Sequence, residues 1–365
     1  MSDWKEYKLG NIINLKRGYD LPNSKREKGK YPIYSSSGIT DFHDEFMKKA
    51  PGVITGRYGT IGEVFYSNTE YWPLNTTLYV QDFKGNNPKY IYYFLKNFDF
   101  EKYNDKSAVP GINRNHVHEE NVLIPDVPEQ IMIARFLSSL DDKIDLLQRQ
   151  NKTLEQLAET LFRQWFVEEA NEQSEDFFML GDLIESVSIT HKFPNNQVVF
   201  LNTSDIFLGE VLTHELSDIK SLPGQAKKSI KNDDILFSEI RPANGRYAYI
   251  DFAADTFVVS TKLMVLRSKK IVPQPFVYFY LTHPQTVEWL QVLAESRSGT
   301  FPQITFDQLR DLKINIPSKD IFEQAIIWCE HTLTKIKANH KQIKTLIQLR
   351  DTSLPKLMSG EIRVL

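Results

Sequence analysis

The feature that most constrains this chain is an internal duplication. Six residues of the first half recur in the second half at one constant offset of 192. They are Pro110, Ile112, Val117, Val122, Ile124 and Pro125, matched by Pro302, Ile304, Leu309, Ile314, Ile316 and Pro317. Leu9-Gly10 recurs as Leu180-Gly181 at the smaller offset of 171, so the segments between the shared positions differ in length. A period this long predicts a duplicated domain with a spacer, because solenoid repeats are only about 20–50 residues long.

Each copy ends in a long helical pattern. In the first copy, nine apolar residues and one polar residue recur at alternating steps of four and three over more than four heptads. These positions would form the contact line of a coiled coil and are called the seam. They are Ile133, Leu137, Leu140, Ile144, Leu147, Asn151, Leu154, Ala158, Leu161 and Trp165. The seam is narrow and free of Gly and Pro, which favours a coiled coil over one amphipathic helix on a globular core. A polar seam residue such as Asn151 lowers stability but fixes the register.

The second copy has a weaker pattern, which His340 and Arg350 interrupt and for which a register through Leu346 fits almost as well. Its positions are Ile326, Cys329, Leu333, Ile336, His340, Ile343, Ile347 and Leu354. No other long helical pattern is present, so we expect the two helices to pair. The duplication favours an antiparallel over a parallel coiled coil. We assign to it Leu137, Leu140, Ile144, Leu147, Asn151, Leu154, Leu161, Leu333, Ile336, Ile343 and Ile347.

The length of this pattern suggests a spacer. Ile133 to Trp165 is 33 residues, and a helix of that length is about 50 Å long. This corresponds to roughly 15 base pairs of duplex DNA, whereas paired DNA-reading elements usually lie about 34–36 Å apart. A pair of such helices could therefore hold two domains on one face of DNA, one helical turn apart.

The segments outside the helices show short strand patterns bounded by turn residues. The predicted strands are Val53–Thr55, Val64–Tyr66, Leu78–Val80, Val198–Leu201, Ile235–Phe237, Tyr247–Ile250, Phe257–Val259 and Leu263–Leu266. Short helices are expected from Pro88 to Leu95 and from Pro275 to Leu281. We predict an α+β fold with two similar domains, residues 1–130 and 176–321, separated and held by long helices within residues 131–175 and 322–365, in a pseudo-two-fold arrangement.

Composition narrows the class of protein. The chain has 365 residues with 41% hydrophobic and 25% charged residues, no apolar run long enough to cross a membrane, and one cysteine. These features predict a cytoplasmic protein in a reducing environment. The net charge of −3 argues against a freestanding DNA binder unless partners supply positive surface. One basic cluster fits phosphate contacts and a solvated loop equally well: Lys16, Arg17, Lys25, Arg26, Lys28 and Lys30.

The motifs, in their order along the chain, resemble those of specificity subunits of type I restriction-modification systems. The motifs are Trp4-Lys5 with Leu9-Gly10, Gly52 to Gly62, Pro125 to Gln130, Leu161 to Val167, Asp234 to Pro242, Ser298 to Ile304 and Leu354 to Ile362. They cover most of the chain; singly they are weak, and together they are specific. The segment Pro317 to Gln324 departs from the pattern because it lacks a second proline, and the second seam is more polar.

The resemblance implies two target-recognition domains, each reading one half of a bipartite site in double-stranded DNA. The long helices would set the spacer and bind two DNA methyltransferase subunits, which restriction and translocase subunits would join. S-adenosylmethionine, ATP and Mg²⁺ would then be bound by those partners, and this chain would be a non-catalytic DNA-recognition subunit.

Candidate DNA-contacting residues are polar or basic residues on expected loops, the residue types that reach base edges and phosphates. In the first domain they are Ser35, Ser36, Ser37, Arg57, Tyr58, Lys106, Asn113 and Arg114. In the second they are Ser238, Arg241, Asn244, Arg246, Lys262, Arg297, Ser298 and Thr300. Each could instead satisfy local backbone groups. Arg57 and Arg241 rank first, because both follow a short apolar run at comparable places in the two copies.

Two other classes of protein are considered. A single-chain DNA methyltransferase or nuclease would need catalytic motifs, yet Asn87-Pro88-Lys89-Tyr90 is only a near-miss of the adenine-methylation motif and Glu6-Tyr7-Lys8 lacks an upstream Asp. No Gly-rich donor-binding loop, phosphate loop or metal-ligand spacing is present. A non-catalytic coiled-coil interaction protein would explain the helices and the net charge, but not the diverged loops on a repeated frame.

Overall fold

The computed structural model describes residues 4–103, 111–170, 177–297 and 300–364, without the side chains of Val167 and Arg297. The chain divides into two compact units. Unit 1 consists of Met1–Leu147 with Gln342–Leu365, and unit 2 of Gln148–Lys341. Two helices, the first long helix α4 Val127–Arg163 and the second long helix α9 Lys319–Met358, contribute residues to both units. This division cuts both helices, whereas the limits derived from the sequence keep each helix as a segment of its own; those limits stay a prediction.

Unit 1 is built on an antiparallel sheet of order β2-β8-β5-β6. Its strands are β1 Lys5–Lys8, β2 Asn14–Arg17, β3 Lys28–Ser35, β4 Gly38–His43, β5 Gly52–Gly56, β6 Val64–Ser67, β7 Trp72–Pro73, β8 Thr77–Asp82 and β9 Asn121–Ile124. Its short helices are α1 Leu9–Ile12, α2 Pro88–Lys96 and α3 Arg114–His118. A second sheet has the order β4-β3-β7, and β1 pairs with β9. Helix α2 begins at Pro88 because the Asn87 side chain accepts a hydrogen bond from the Tyr90 amide, and its aromatic face is buried in the core.

Within unit 1 the two long helices run antiparallel. Residues near the start of the first long helix, among them Ile133 and Leu137, share one core with Leu357 and Met358 near the end of the second. Arg350 donates to Asp141 at 2.9 Å across this pair. Glu129 joins the N-terminal and C-terminal segments of the chain, since it accepts a hydrogen bond from the Trp4 indole at 3.3 Å and lies 3.9 Å from the Arg363 guanidinium.

Unit 2 repeats the frame of unit 1. Its strands are β10 Phe177–Met179, β11 Ile184–Ser186, β12 Gln197–Leu201, β13 Ile206–Phe207, β14 Glu210–Val211, β15 Ser217–Asp218, β16 Ala226–Ser229, β17 Ile235–Ser238, β18 Tyr247–Tyr249, β19 Phe257–Ser260, β20 Leu263–Ser268 and β21 Lys313–Asn315. Its short helices are α5 Leu180–Leu183, α6 Gln274–Thr282, α7 Pro284–Arg297 and α8 Phe306–Arg310. The order β11-β20-β17-β18 matches β2-β8-β5-β6, and the β10–β21 pair matches β1–β9. A sheet of order β15-β12-β19-β16 and the β13–β14 hairpin complete the unit.

Within unit 2 the long helices also run antiparallel. Ala158 and Phe162 share a core with Cys329 and Leu333. Asn151 is 5% exposed, and its side-chain oxygen accepts a hydrogen bond from the Asn339 amide at 2.7 Å. The same amide donates to the Gln150 side chain at 3.0 Å. The α+β fold with a repeated frame and an antiparallel pair of long helices is therefore confirmed.

The seam residues follow the predicted pattern with two corrections. Leu137, Leu140, Ile144, Leu147, Asn151, Leu333 and Ile336 are buried, and Leu154, Leu161, Ile343 and Ile347 are half-buried. Beyond Ala158 the buried side chains are Phe162, Phe166 and Ala170 instead of Leu161 and Trp165. The rings of Phe162 and Phe166 pack against Phe276 of the unit 2 core, and Phe166 also contacts Phe322 of the second long helix. In the second long helix Asn339, at 1% exposure, takes the seam place expected for His340, since its amide can pair with Asn151.

The predicted strands and both short helices are present. The strands that the sequence did not predict include β1, β2, β3 and β4, whose residues are rich in Lys, Tyr, Gly and polar side chains. In the described part of the chain, no helix combines the length and the hydropathy needed to span a membrane.

Candidate nucleic-acid interface

Unit 1 contains a concave surface of about 770 Å³, here called the first concave surface, where the end of β2 meets two loops. It is lined by Lys16, Arg17, Gly18, Tyr19, Asp20, Arg57, Tyr58, Leu78, Gly111, Ile112, Asn113 and Arg114. Four candidates from the sequence, Arg57, Tyr58, Asn113 and Arg114, are thus brought together although they are far apart in the chain.

Backbone hydrogen bonds fix the loop after β5 at this surface. The Arg57 and Tyr58 amides both donate to the Thr76 carbonyl, at 2.9 and 3.3 Å, and the Arg57 carbonyl accepts from the Ile112 amide at 3.0 Å. These bonds tie the loop to the segment before α3. The arrangement leaves the side chains of Arg57 and Tyr58 half-buried at the mouth of the surface.

Gly111 is required by the close approach of the Tyr58 ring. A Cβ atom at Gly111 would lie 2.2 Å from Cε1 of Tyr58, so any larger residue would displace the ring. The Arg57 guanidinium lies 4.4 Å from the centre of the same ring, a cation–π distance. Gly111, Tyr58 and Arg57 therefore form one stacked series, which holds the guanidinium beside the concave surface.

The start of α3 brings a further cation to this surface. Asn113 caps the helix by accepting from the Asn115 amide at 3.0 Å, and Arg114 donates to the Leu15 carbonyl at 3.5 Å. His118 on the same helix accepts a hydrogen bond from the Leu15 amide at 2.9 Å, so its Nε2 carries no proton. Burial lowers the pKa of His118, and the positive charges of Arg114 and Lys84 lower it further.

The electrostatics of the first concave surface favour an anion. Lys16, Arg17, Arg57 and Arg114 face a single lining carboxylate, that of Asp20, which accepts a hydrogen bond from Asn75. Among the residues that the structure describes, no carboxylate lies within ion-pair distance of any of these four cations. Cations without a protein counterion, next to an exposed helix cap and a phenol, suit a phosphate backbone.

The remaining candidates of unit 1 lie beside this surface or outside the described residues. Ser35, Ser36 and Ser37 form the turn between β3 and β4, in which the Ser35 and Ser37 hydroxyls are 3.0 Å apart. Ser36 approaches the loop that carries Arg57, since a Cβ atom at Gly59 would lie 3.4 Å from its hydroxyl oxygen. Lys106 lies outside the described residues.

The frame of unit 2 gives a correspondence between the two copies that differs from the expected one. The Glu239 carbonyl accepts from the Ile304 amide at 2.8 Å, as the Arg57 carbonyl does from Ile112, and the Ile240–Gln303 bridge repeats the Tyr58–Gly111 bridge. The residue equivalent to Arg57 is therefore Glu239. The expected equivalence of Arg57 and Arg241 is wrong, because Arg241 lies two residues further along the loop.

Glu239 belongs to a polar cluster of three side chains, here called the unit 2 cluster. The Lys262 ammonium lies 3.5 Å from the Glu239 carboxylate and 3.4 Å from the side-chain oxygen of Gln303. Lys262 was a candidate from the sequence, whereas Glu239 and Gln303 were not. The signal that would have found them is their place in the repeated frame, directly after a buried strand and directly before Ile304.

The other candidates of unit 2 differ in exposure and in hydrogen bonding. The exposed Arg241 donates to the Thr300 carbonyl at 3.4 Å, and Asn244 and Thr300 are exposed. Arg246 donates to the carbonyls of Ser204 and Ile206, at 3.2 and 3.1 Å.

Three further candidates offer less to an interface. Ser238 is 1% exposed, and its hydroxyl bonds both the amide and the carbonyl of Ile240, so it supports the loop from within. The Arg297 side chain and all of Ser298 lie outside the described residues. The DNA contacts themselves stay a prediction for every candidate.

Sequence comparisons give a consistent picture. The profile of a family described as type I restriction modification DNA specificity domain matches residues 1–156 and 172–349. The HindI type I restriction enzyme specificity subunit of Haemophilus influenzae is 44% identical over 176 residues, a match that covers 47% of this chain and only 38% of that protein. The MjaIX specificity subunit of Methanocaldococcus jannaschii is 25% identical over 326 residues, which are 80% of this chain and 74% of that protein.

The fold is similar to that of a solved specificity subunit. The crystal structure of a type I restriction-modification system S subunit from M. genitalium matches with a TM-score of 0.70 and 17% sequence identity, covering 98% of this chain and 96% of that chain. In the described part of this chain, no group of three or more His, Cys, Asp or Glu residues is placed to hold a metal ion.

Proposed function

This chain belongs to the family of type I restriction modification DNA specificity domains, and we propose that it is the DNA-recognition subunit of a type I restriction-modification complex. Unit 1 and unit 2 would each read one half of a bipartite site in double-stranded DNA. The family match over both copies supports this proposal, as do the curated relatives that are specificity subunits. The observation that carries it is the first concave surface, where four cations without a carboxylate partner face outward.

The proposal extends to partners. Two DNA methyltransferase subunits would bind the chain, and restriction and translocase subunits would join the complex. S-adenosylmethionine, ATP and Mg²⁺ would be bound by those subunits, and this chain would contribute recognition without catalysis. The net charge of −3 supports a division of labour in which partners supply further positive surface to the DNA.

A methylation map tests this function. The chain is expressed with its neighbouring methyltransferase subunits in a host free of DNA methylation, and modified adenines are mapped by single-molecule sequencing. We expect a two-part motif with a fixed unspecified gap, and no methylation when this chain is omitted. Methylation that is independent of the chain, or no methylation with methyltransferase subunits shown to be active, would overturn the proposal in favour of a coiled-coil interaction protein.

A further inference from the structure

The repeated frame allows a position-by-position comparison of the two DNA-facing surfaces. Lys16 pairs with Tyr79 in the sheet of unit 1, and Val187 bonds to Val265 at the same place in unit 2. Arg17, the next residue, therefore corresponds to Ser188. Arg114 is the first residue of α3 after its cap, and Phe306 is the first residue of α8 after its cap.

The charges at equivalent positions differ between the units. Arg57 corresponds to Glu239. The Thr76 carbonyl accepts from the Arg57 amide, and the Lys262 carbonyl accepts from the Glu239 amide, so Thr76 corresponds to Lys262. The five positions hold Lys16, Arg17, Arg57, Thr76 and Arg114 in unit 1, and Val187, Ser188, Glu239, Lys262 and Phe306 in unit 2. Their formal charge is thus +4 in unit 1 and zero in unit 2, although the backbone frame is the same.

The cations of unit 1 also have fewer protein partners than those of unit 2. In unit 2 the Lys262 ammonium faces the Glu239 carboxylate, and the Arg246 guanidinium donates to two backbone carbonyls. The exposed Arg241 donates to the Thr300 carbonyl at 3.4 Å. In the described part of unit 1, Lys16, Arg17 and Arg57 have no hydrogen-bond acceptor or carboxylate partner. A phosphate that binds these three cations would therefore displace only water. At Lys262 a phosphate would have to compete with the Glu239 carboxylate for the ammonium group.

From these differences we propose that the two domains contribute unequally to DNA affinity. Unit 1 anchors the protein on the phosphate backbone through Lys16, Arg17, Arg57 and Arg114. Unit 2 contributes little net phosphate attraction and acts as a reader of base edges, for which Glu239, Lys262 and Gln303 offer an acceptor, a donor and an amide. This inference rests on the proposed function, because it presupposes that both surfaces face DNA.

Salt dependence of binding separates the two contributions. The complex of the full chain with its methyltransferase subunits is titrated with a fluorescent duplex that lacks the methylated motif, over a series of KCl concentrations. Each phosphate contact contributes about 0.9 to the slope of log K against log salt. We expect the K16Q/R17Q/R57Q/R114Q variant to reduce the slope by roughly three to four, and the matched unit 2 variant R241Q/R246Q/K262Q to reduce it by about one or less.

A second pair of variants guards against loss of folding. Arg57 stacks on Tyr58 and Arg114 bonds to Leu15, but Lys16 and Arg17 have no described partner, so K16Q/R17Q should leave thermal unfolding unchanged and still reduce the slope by about two. R241Q/R246Q is its control, and its thermal unfolding is measured as well because Arg246 bonds two backbone carbonyls. Equal slopes for the unit 1 and unit 2 variants, or a larger loss in unit 2, would overturn the inference. A wild-type complex without salt-dependent DNA binding would instead overturn the proposed function.

Discussion

At the scale of single residues, the site depends on side chains that the sequence alone does not connect. Arg57, Tyr58 and Gly111 form one stacked series, yet Gly111 is 53 residues after Tyr58 along the chain. Arg57 was found from the sequence because it follows a short apolar run and precedes glycines. Its true counterpart, Glu239, was missed because backbone hydrogen bonds define the equivalence, and the two residues are chemically opposite.

Gly111→Ala is expected to lower the stability of unit 1 and the affinity of the first concave surface for DNA. The new methyl group would meet the Tyr58 ring at 2.2 Å, and such overpacking costs roughly 1–3 kcal/mol. Urea unfolding measures the loss of stability, and duplex titration measures the weaker binding. Gly224→Ala is the matched control, because no atom lies within 4 Å of a Cβ placed there. An effect of equal size at both glycines would contradict this account.

Acidification is expected to destabilise unit 1 through His118. Its pKa lies below the ordinary value of 6.5 because of burial and the nearby Arg114 and Lys84 charges. Below pH 6.5 the unfolded chain therefore binds a proton before the folded chain does, and stability is lost as the pH falls towards the folded-state pKa. Well above pH 6.5 the imidazole is neutral in both states, and this contribution is constant.

His118→Gln removes the titrating group while its side-chain oxygen can still accept from the Leu15 amide. The variant should lose part of the pH dependence that the unfolding midpoint shows as the pH falls below 6.5. His116→Gln, at an exposed position of the same helix, is the control. If the His118 variant keeps the full wild-type dependence, His118 is not the group that destabilises the protein on acidification.

At the scale of elements, the sequence predicted what local periodicity encodes and missed what tertiary pairing imposes. The buried strand β5 and the half-buried helix α2 have clear apolar patterns, and both were predicted. Strand β3 contains Lys28, Gly29 and Lys30 and becomes a strand because it pairs with β4 and β7, information that its own residues do not carry. The seam was predicted correctly up to Ala158; beyond it, Phe162 and Phe166 pack against Phe276 of the unit 2 core, a contact that the heptad spacing does not encode.

The buried amide pair of Asn151 and Asn339 is expected to fix the register of the two long helices and to lower their stability. Asn339→Leu alone leaves the buried Asn151 oxygen without its donor and should cost about 1–3 kcal/mol. Asn151→Leu alone should cost less, because the Asn339 amide can still donate to Gln150. The double variant should recover most of that loss, since two leucines can pack in an antiparallel seam. Chemical unfolding of the four proteins gives the coupling energy. Additive effects of the two substitutions would show that the 2.7 Å hydrogen bond is not the stabilising interaction.

At the scale of the whole molecule, the two copies share a backbone frame but differ in the side chains on its surface. The sheet order, the capped helix before the final strand and the antiparallel helix pair recur in each unit. The charged positions on that frame do not recur. A protein that reads two different half-sites needs this combination, because folding constrains the frame and DNA sequence constrains only the loops.

Exchange of the second recognition domain should therefore change one half of the recognised site. Residues from about Met179 to Pro317 would be replaced by the same region of a relative, with both long helices kept. The methylation map should then show a new half-motif on one side, an unchanged half-motif on the other and an unchanged gap. Altered recognition on both sides would contradict independent reading by the two units.

A heptad added to each long helix should lengthen the gap between the half-sites. Within unit 2, Asn151 lies opposite Asn339, so seven residues inserted after Asn151 and seven before Asn339 preserve the pairing on both sides of the insertion. Seven residues extend a helix by about 10 Å, which is roughly three base pairs. A heptad in one helix only is the control, and it should destabilise the pair because facing seam residues are lost. The methylation map measures the gap, and an unchanged gap with the double insertion would reject the long helices as the element that sets the spacing.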